Sequence, residues 1–490
     1  MNLAAVIAVA LATLLAGFYG LRLSRTTSDF YVASRGVSPL ANASAIGGEY
    51  VSAASFLGIA GLVLAGGVDM LWLPVGWTGG YLVLLVLVAA PLRRSGAYTL
   101  PDFAEARLES MAVRRAASLL VVLIGWLYLL PQLQAAGRVL ASVTGGPQWA
   151  GGLLVAAVVI LGVVAGGMRS ITLVQALQYW LKLTALGVPL VFLAMAWRGD
   201  GSPGISDTSW LLPDVGDDRL YSTYSLILAT FLGTMGLPHV LVRFYTNPDG
   251  AAARRTTSFV LALLGLFYLL PAAYGALGKI YAADLVEGGS PDTDTVVLEL
   301  PARIVGGTLG DALGALLVAG AFAAFLSTSS GLTVSVAGVI GQDLLRGGVR
   351  SFRAATVVAI GVPLVLSLVL PSSLPVATMV GLAFALSAST FCPLLVLGIW
   401  WRGLTAAGAL AGLVTGGVLA GGAVVWTVAT ERAHSWVAQP GAWTVPLTFL
   451  VMVAVSRRTK RPPNTARTMV RLHTPEGVEL DRGDWRPRRI

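Results

Sequence analysis

Thirteen stretches of this chain stay apolar for about as long as a bilayer is thick, and nothing else in the sequence constrains the fold so strongly. A hydrocarbon core of ~30 Å takes about 20 residues of helix. Runs near that length occur at 2–21, 39–66, 70–92, 116–143, 149–168, 172–196, 221–242, 257–281, 312–341, 354–370, 374–400, 404–428 and 442–456. Only 12% of the 490 residues are charged, against about 25% in a soluble domain, so the chain lacks the polar surface to cover itself in water. The runs are also far longer than the ~10-residue alternating strands of a membrane barrel. The expected class is an all-α polytopic membrane protein of about 13 transmembrane helices. The first run has no basic flank before it and is followed by Arg22 and Arg25, the reverse of a secretory signal, so it is expected to remain as a span.

Charge placement gives the orientation independently of hydropathy. Alternate loops and the stretch after residue 456 hold 26 of the 33 Lys and Arg, among them Arg93, Arg94, Arg243, Arg254 and Arg255. The opposite loops hold five, Arg198, Arg219, Lys279, Arg303 and Arg432, together with most of the acids. Basic residues crowd the cytoplasmic side of membrane proteins. The reading is a plasma (inner) membrane protein with its N-terminus outside and its C-terminus in the cytoplasm. The formal net charge of +9 is then an orientation device and no sign of a nucleic-acid partner. The one cysteine, Cys392, allows neither an intramolecular disulfide nor a Cys-based metal cluster.

Two spans carry helix-breaking signals near mid-membrane: Gly47-Gly48 in the second, and Gly233, Gly236 and Pro238 in the seventh. Broken backbone persists in a bilayer where it lines a cavity or is buried in protein. Spans 2–6 and 7–11 form two blocks of five, and because five is odd the second block enters the membrane inverted. Inverted repeats with broken first helices point to a secondary transporter with a site at the midplane. The organisation expected is a first span and inner loop (1–38), a first five-helix repeat (39–198), an outer connector (199–220), a second, inverted repeat (221–402), two peripheral spans (403–456) and a basic cytoplasmic tail (457–490). The tail reads as solvated or lying on anionic lipid.

Few residues inside the spans could carry chemistry. Glu49 is the one acid within a run, beside Gly47-Gly48, and a charge at that depth marks either a site or an ion pair with a base on another helix. Arg138 and Lys182 are the basic residues within runs away from the last three positions, where Lys279 lies; Arg138 is placed to snorkel outward, and Lys182 to pair between helices or to meet substrate charge. His239 follows Pro238 as a packing residue or a proton-coupling one. The cluster Ser327, Thr328, Ser329 and Ser330 can bond within and between helices or, with carbonyls freed near Gly48, surround a dehydrated Na⁺. Trp72 and Trp77 fit a pocket wall or an interfacial belt. His-Glu-x-x-His, nucleophile-elbow and Walker A patterns are absent and the chain has three His, so neither an enzyme nor a transition-metal site is expected.

The runs GEYVSAASFLGIAG (48–61), PVGWTGGYLVLLVLVAAPLRRSGAYTLPDFAEAR (74–107) and GLPHVLVRFYTNPD (236–249) resemble the sodium:solute symporter family, in its acetate and short monocarboxylate permease branch. The resemblance covers about residues 28–400. It implies a LeuT-like fold with broken first helices, and a coupling Na⁺ held by the carbonyls of Gly48, Val51 and Ala324 and the side chains of Ser327 and Thr328. Glu49 stands where acetate permeases typically have Asp. The resulting expectation is Na⁺-coupled symport of a small monocarboxylate such as acetate, propionate or pyruvate by alternating access. Na⁺ is the coupling ion, no other cofactor is implied, and Glu49, Ser52, Ser55, Trp77 and His239 are the cavity candidates. The alternatives are another solute (amino acid or sugar) or H⁺ on the same fold and, from a different class, a membrane solute sensor.

Overall fold

The computed structural model describes residues 1–21, 29, 32–212, 216–287, 293–345, 347–370, 374–430, 434–476 and 478. Among the described residues the regular structure is helical, without a strand. The helices that frame the site are α1 (Asn2–Leu21), α2 (Pro39–Tyr50), α3 (Ile59–Gly66), α4 (Trp72–Leu87), α5 (Leu100–Leu108), α6 (Met111–Thr144), α7 (Trp149–Gly199), α8 (Asp217–Gly236) and α9 (Pro238–Phe244). They continue with α10 (Gly250–Tyr281), α11 (Val296–Ile304), α12 (Gly307–Val339), α13 (Gly348–Val369), α14 (Val376–Trp400), α15 (Ala406–Thr430), α16 (Gly441–Arg457) and α17 (Thr465–His473).

Nine helices among the described residues are each long and apolar enough to cross a membrane, and the bent pair Leu220–Gly236 and Pro238–Phe244 makes ten. The difference from thirteen has identifiable sources. Helix α7 runs 51 residues, about 76 Å at 1.5 Å per residue, and holds two of the expected runs. It is divided at Gly167, whose φ of 55° and ψ of −153° lie outside helical space and suit a residue without Cβ. Residues 54–87 form one continuous apolar stretch where two spans were expected to meet, and α16 is short at 17 residues.

Burial sorts the helices into layers. α12 is enclosed continuously from Leu317 to Val339 and α14 nearly so from Val376 to Leu395, as expected of helices apolar all round at the centre of a bundle. On α1 the exposed side chains Leu3, Ile7, Leu11, Leu15 and Phe18 form one stripe, while Val6, Val9, Ala10 and Thr13 face protein. An apolar stripe of this spacing on the outside belongs against lipid.

Of the tail, expected to be solvated or to lie on anionic lipid, α17 docks on the protein. It does so through two apolar side chains, Met469 and Leu472, both buried, and His473 meets the Trp400 ring edge-on at 4.9 Å. Glu476 pairs with Arg94 at 3.3 Å and accepts from the Gly250 amide at 2.6 Å. The two apolar residues are set among arginines in a helix with charged flanks, a pattern that hydropathy averaging hides. Residues 479–490 lie outside the described residues. At the other side, Arg138 pairs with Asp294 at 3.6 Å.

Candidate functional site

Both expected helix breaks exist, and the first lies later than expected. α2 runs through Gly47 and Gly48 and ends at Tyr50; Val51, at φ −70° and ψ 84°, leaves the helix, and the chain resumes as a π-turn at Ala54–Gly58 before α3. The glycines serve close approach instead. A Cβ on Gly48 would run into the Gln175 carbonyl of α7, and one on Gly331 of α12 into the Glu49 side chain. The Ala53 amide released by the break donates to Gln132 Oε1 at 3.0 Å. In the second broken helix, α8 and α9 meet at a 44° bend, with Leu237 extended between them and Pro238 starting the new helix at a position where its missing N–H costs nothing.

The ion-site candidates do come together, around an occupant. Lys182 Nζ, on the second half of α7 and fully buried, donates to the Gly48 carbonyl, to the Val51 carbonyl at 2.7 Å and to Ser327 Oγ at 2.6 Å. Ser327 Oγ in turn donates to the Ala324 carbonyl at 3.1 Å. Four of the five positions assigned to Na⁺ by resemblance thus form one cluster on the Lys182 ammonium. Thr328 is turned aside, its hydroxyl donating to the Glu49 carbonyl at 2.6 Å.

Glu49 is the buried ion pair that one reading of the sequence allowed. Its Oε2 accepts from Arg243 Nε at 2.6 Å, with both side chains enclosed. Arg243, an inner-loop base by sequence, belongs to the last turn of α9 and lies fully inside. Its remaining nitrogens donate to Thr172 Oγ1 at 2.7 Å and to Gln175 Oε1. The Gln175 amide nitrogen donates onward to the Ser327 carbonyl at 2.7 Å. Taking a guanidinium and a carboxylate out of water is costly unless the remaining protons and lone pairs find partners; all three Arg243 nitrogens do, while Glu49 Oε1 has none among the described residues.

The cavity candidates surround an aromatic cluster between the two breaks. Trp77 packs 5.9 Å from Tyr268 and 5.7 Å from Phe384, and Tyr128 packs 5.3 Å from His239 and 6.1 Å from Phe384. Trp77 is therefore a wall residue of the interior, whereas Trp72 stays 45% exposed. Ser52 Oγ lies 3.4 Å from the Tyr128 hydroxyl and Ser55 Oγ 3.0 Å from that of Tyr268. Trp77 Nε1, both ring nitrogens of His239, Gln132 Nε2 and the Tyr81 hydroxyl are buried without a hydrogen-bond partner among the described residues. Buried donors are ordinarily satisfied, so an unpartnered group of them in one cluster is a place where a polar solute can be held.

Thr172, Gln175, Gln132 and Arg243 are members of the site that the sequence reading did not single out. For the first two a signal exists: Thr172, Gln175 and Lys182 recur at i, i+3 and i+10 in a largely apolar run that also holds Gln178, one face of an α-helix. Arg243 and Gln132 find their partners 194 and 79 residues away in sequence, and no local spacing announces them.

Comparison with known proteins decides the class. The sodium:solute symporter family matches residues 30–416. The chain belongs to this family. An uncharacterised symporter of Bacillus subtilis (strain 168), YwcA, is 32% identical, covering 96% of this chain and 97% of the relative. A monocarboxylic acid transporter of Corynebacterium glutamicum is 29% identical, covering 94% of this chain and 92% of the relative. Among solved structures, a substrate-bound, outward-open Na⁺-coupled sialic acid symporter superposes with a TM-score of 0.71 at 16% identity, covering 94% of this chain and 98% of that one. The nucleobase-cation-symport transporter Mhp1 follows at 0.54 and 14% identity, covering 90% and 98%. The fold is accordingly LeuT-like, as expected, and this sodium:solute symporter family member is an integral membrane transporter and no enzyme. The family carries Na⁺-coupled symport of a solute, and that is the activity class of the chain.

Proposed function

We propose that the solute is a small monocarboxylate of the acetate, propionate or pyruvate type, taken inward by alternating access. The observation that carries the reading is the set of unpartnered groups able to donate, Trp77 Nε1, Gln132 Nε2 and one ring nitrogen of His239, gathered with Ser52 and Ser55 in a tightly packed aromatic cluster. Converging donors suit an anion, and close aromatic packing suits a short one. A relative named for monocarboxylic acids over nearly its whole length supports the same class. The first and second broken helices meet here, so a carboxylate bound between them would draw them together and close the cavity.

In this reading Gly48, Val51, Ala324 and Ser327 form the cation locus and Thr328 braces it through the Glu49 carbonyl. The N-terminus is outside and the tail cytoplasmic. Purified protein in liposomes, offered a panel of labelled monocarboxylates, amino acids and sugars with imposed Na⁺ and pH gradients, tests it. Saturable uptake of a two- or three-carbon acid, stimulated by a cation gradient, is expected. Saturable uptake of an amino acid or a sugar with none of the acids would overturn it.

A further inference from the structure

The residues that resemblance assigns to Na⁺ present hard neutral oxygens, which suit a small monovalent cation. In this chain those oxygens already hold one. A lysine ammonium has three donor hydrogens and no acceptor, and Lys182 Nζ has three acceptors, the carbonyls of Gly48 and Val51 and Ser327 Oγ. The match leaves no hydrogen unpaired and takes the lone pairs a Na⁺ would use. The side chain is wholly enclosed and comes from α7, the helix pressed so closely on Gly48 that a Cβ there has no room.

We infer that Lys182 is a tethered cation filling the locus, so that its ammonium and a free Na⁺ exclude each other at Gly48, Val51, Ala324 and Ser327. Two features support exclusion over sharing. Both cations need the same oxygens at contact distance, and two positive charges so close in a poorly screened interior repel strongly. A buried lysine in a membrane helix is retained only against a considerable solvation cost, and here it joins α7 to both the first break and α12 as a bound ion would. Na⁺ that drives transport in this chain must then act at another position, or wait for Lys182 to withdraw.

The inference deepens the cation locus of the proposed symporter but is independent of the solute, and it is tested without one. The full-length protein is purified in detergent and its melting temperature followed as Na⁺ replaces choline at constant ionic strength, since a ligand bound only by the folded state raises it. The wild type should show no saturable rise that Ser327→Ala removes. Lys182→Met should gain one of a few degrees, and Ser327→Ala in that background should abolish the gain, locating it. A folded, monodisperse Lys182→Met protein with no Na⁺ response would overturn the inference, as would a wild-type response that Ser327→Ala removes. If Lys182→Met does not fold, Lys182→Gln takes its place under the same criteria. If neither folds, the wild type decides: no Na⁺ rise, or one that Ser327→Ala leaves intact, upholds exclusion, and a Na⁺ rise removed by Ser327→Ala refutes it.

Discussion

The two broken helices solve one problem, exposed backbone in a membrane interior, by different chemistry. At the first, the freed carbonyls of Gly48 and Val51 are met by an ammonium and the freed amide of Ala53 by Gln132. At the second, neutral groups suffice: Ser387 Oγ donates to the Gly233 carbonyl at 3.0 Å, proline removes one donor at the restart of the helix, and His239 lies beside the bend with no hydrogen-bond partner on either nitrogen among the described residues. The first break meets its freed backbone with charge and leaves Glu49 Oε1 and Gln132 Nε2 without partners among the described residues, whereas the second uses neutral groups and leaves both His239 ring nitrogens so. Stability should therefore lean most on the ion pair at the first, while His239 at the second serves solute recognition.

Substitutions can break that contrast. The largest effect is expected from Glu49→Ala, which strands the Arg243 guanidinium in the interior; losing one partner of a buried pair costs about 3–5 kcal/mol. The variant should melt far below the wild type or fail to accumulate in the membrane, and replacing both residues, Glu49→Leu with Arg243→Met, should recover part of the loss. A wild-type melting temperature for Glu49→Ala would mean the pair does not hold the first break. Next comes Gln132→Leu, which leaves the Ala53 amide buried and unpaired at a cost of about 1–3 kcal/mol, measurable by the same thermal unfolding.

His239→Phe should behave oppositely. It keeps a ring against Tyr128 and removes only unpartnered nitrogens, so melting should barely move while the KM for a transported acid rises about tenfold, equivalent to ~1.4 kcal/mol. A melting defect without a KM change would erase the division of labour between the breaks. The smallest effect is expected of Thr328→Val, which keeps the shape and loses one hydrogen bond to the Glu49 carbonyl, about 1 kcal/mol. It sharpens the comparison by asking whether the hydroxyl beside the charged break does more than brace it.

The fold was legible because hydropathy and charge placement act over twenty-residue windows, which is the scale of a span. The second break was legible as well, since Gly236, Leu237 and Pro238 interrupt a helix by local stereochemistry. The first was misplaced by three residues because Gly47-Gly48 could signal a break or a close approach, and only the neighbouring helix, with the Gln175 carbonyl against Gly48, selects between them. Arg243 read as a loop base because it sits at a span's end; whether an end residue reaches water depends on what packs over it. Lys182 was seen as a buried charge, but its acceptors lie 131 to 145 residues away, beyond any local pattern.

Gln175 adds a constraint on how such a protein can move. Its amide oxygen faces Arg243 and its amide nitrogen faces the Ser327 carbonyl, so turning the group over would set donor against donor and acceptor against acceptor. The amide is therefore a keyed joint, with one admissible orientation, between the ion pair that ties α2 to α9 and the lysine cluster that ties α7 to α12. Four helices share that joint, and none of them can slide past the others by a small increment while the rest stay seated. An opening on this side of the molecule has to release the whole joint at once, which makes the joined arrangement a discrete state and gives the transport cycle a threshold where a looser contact would give it a slope.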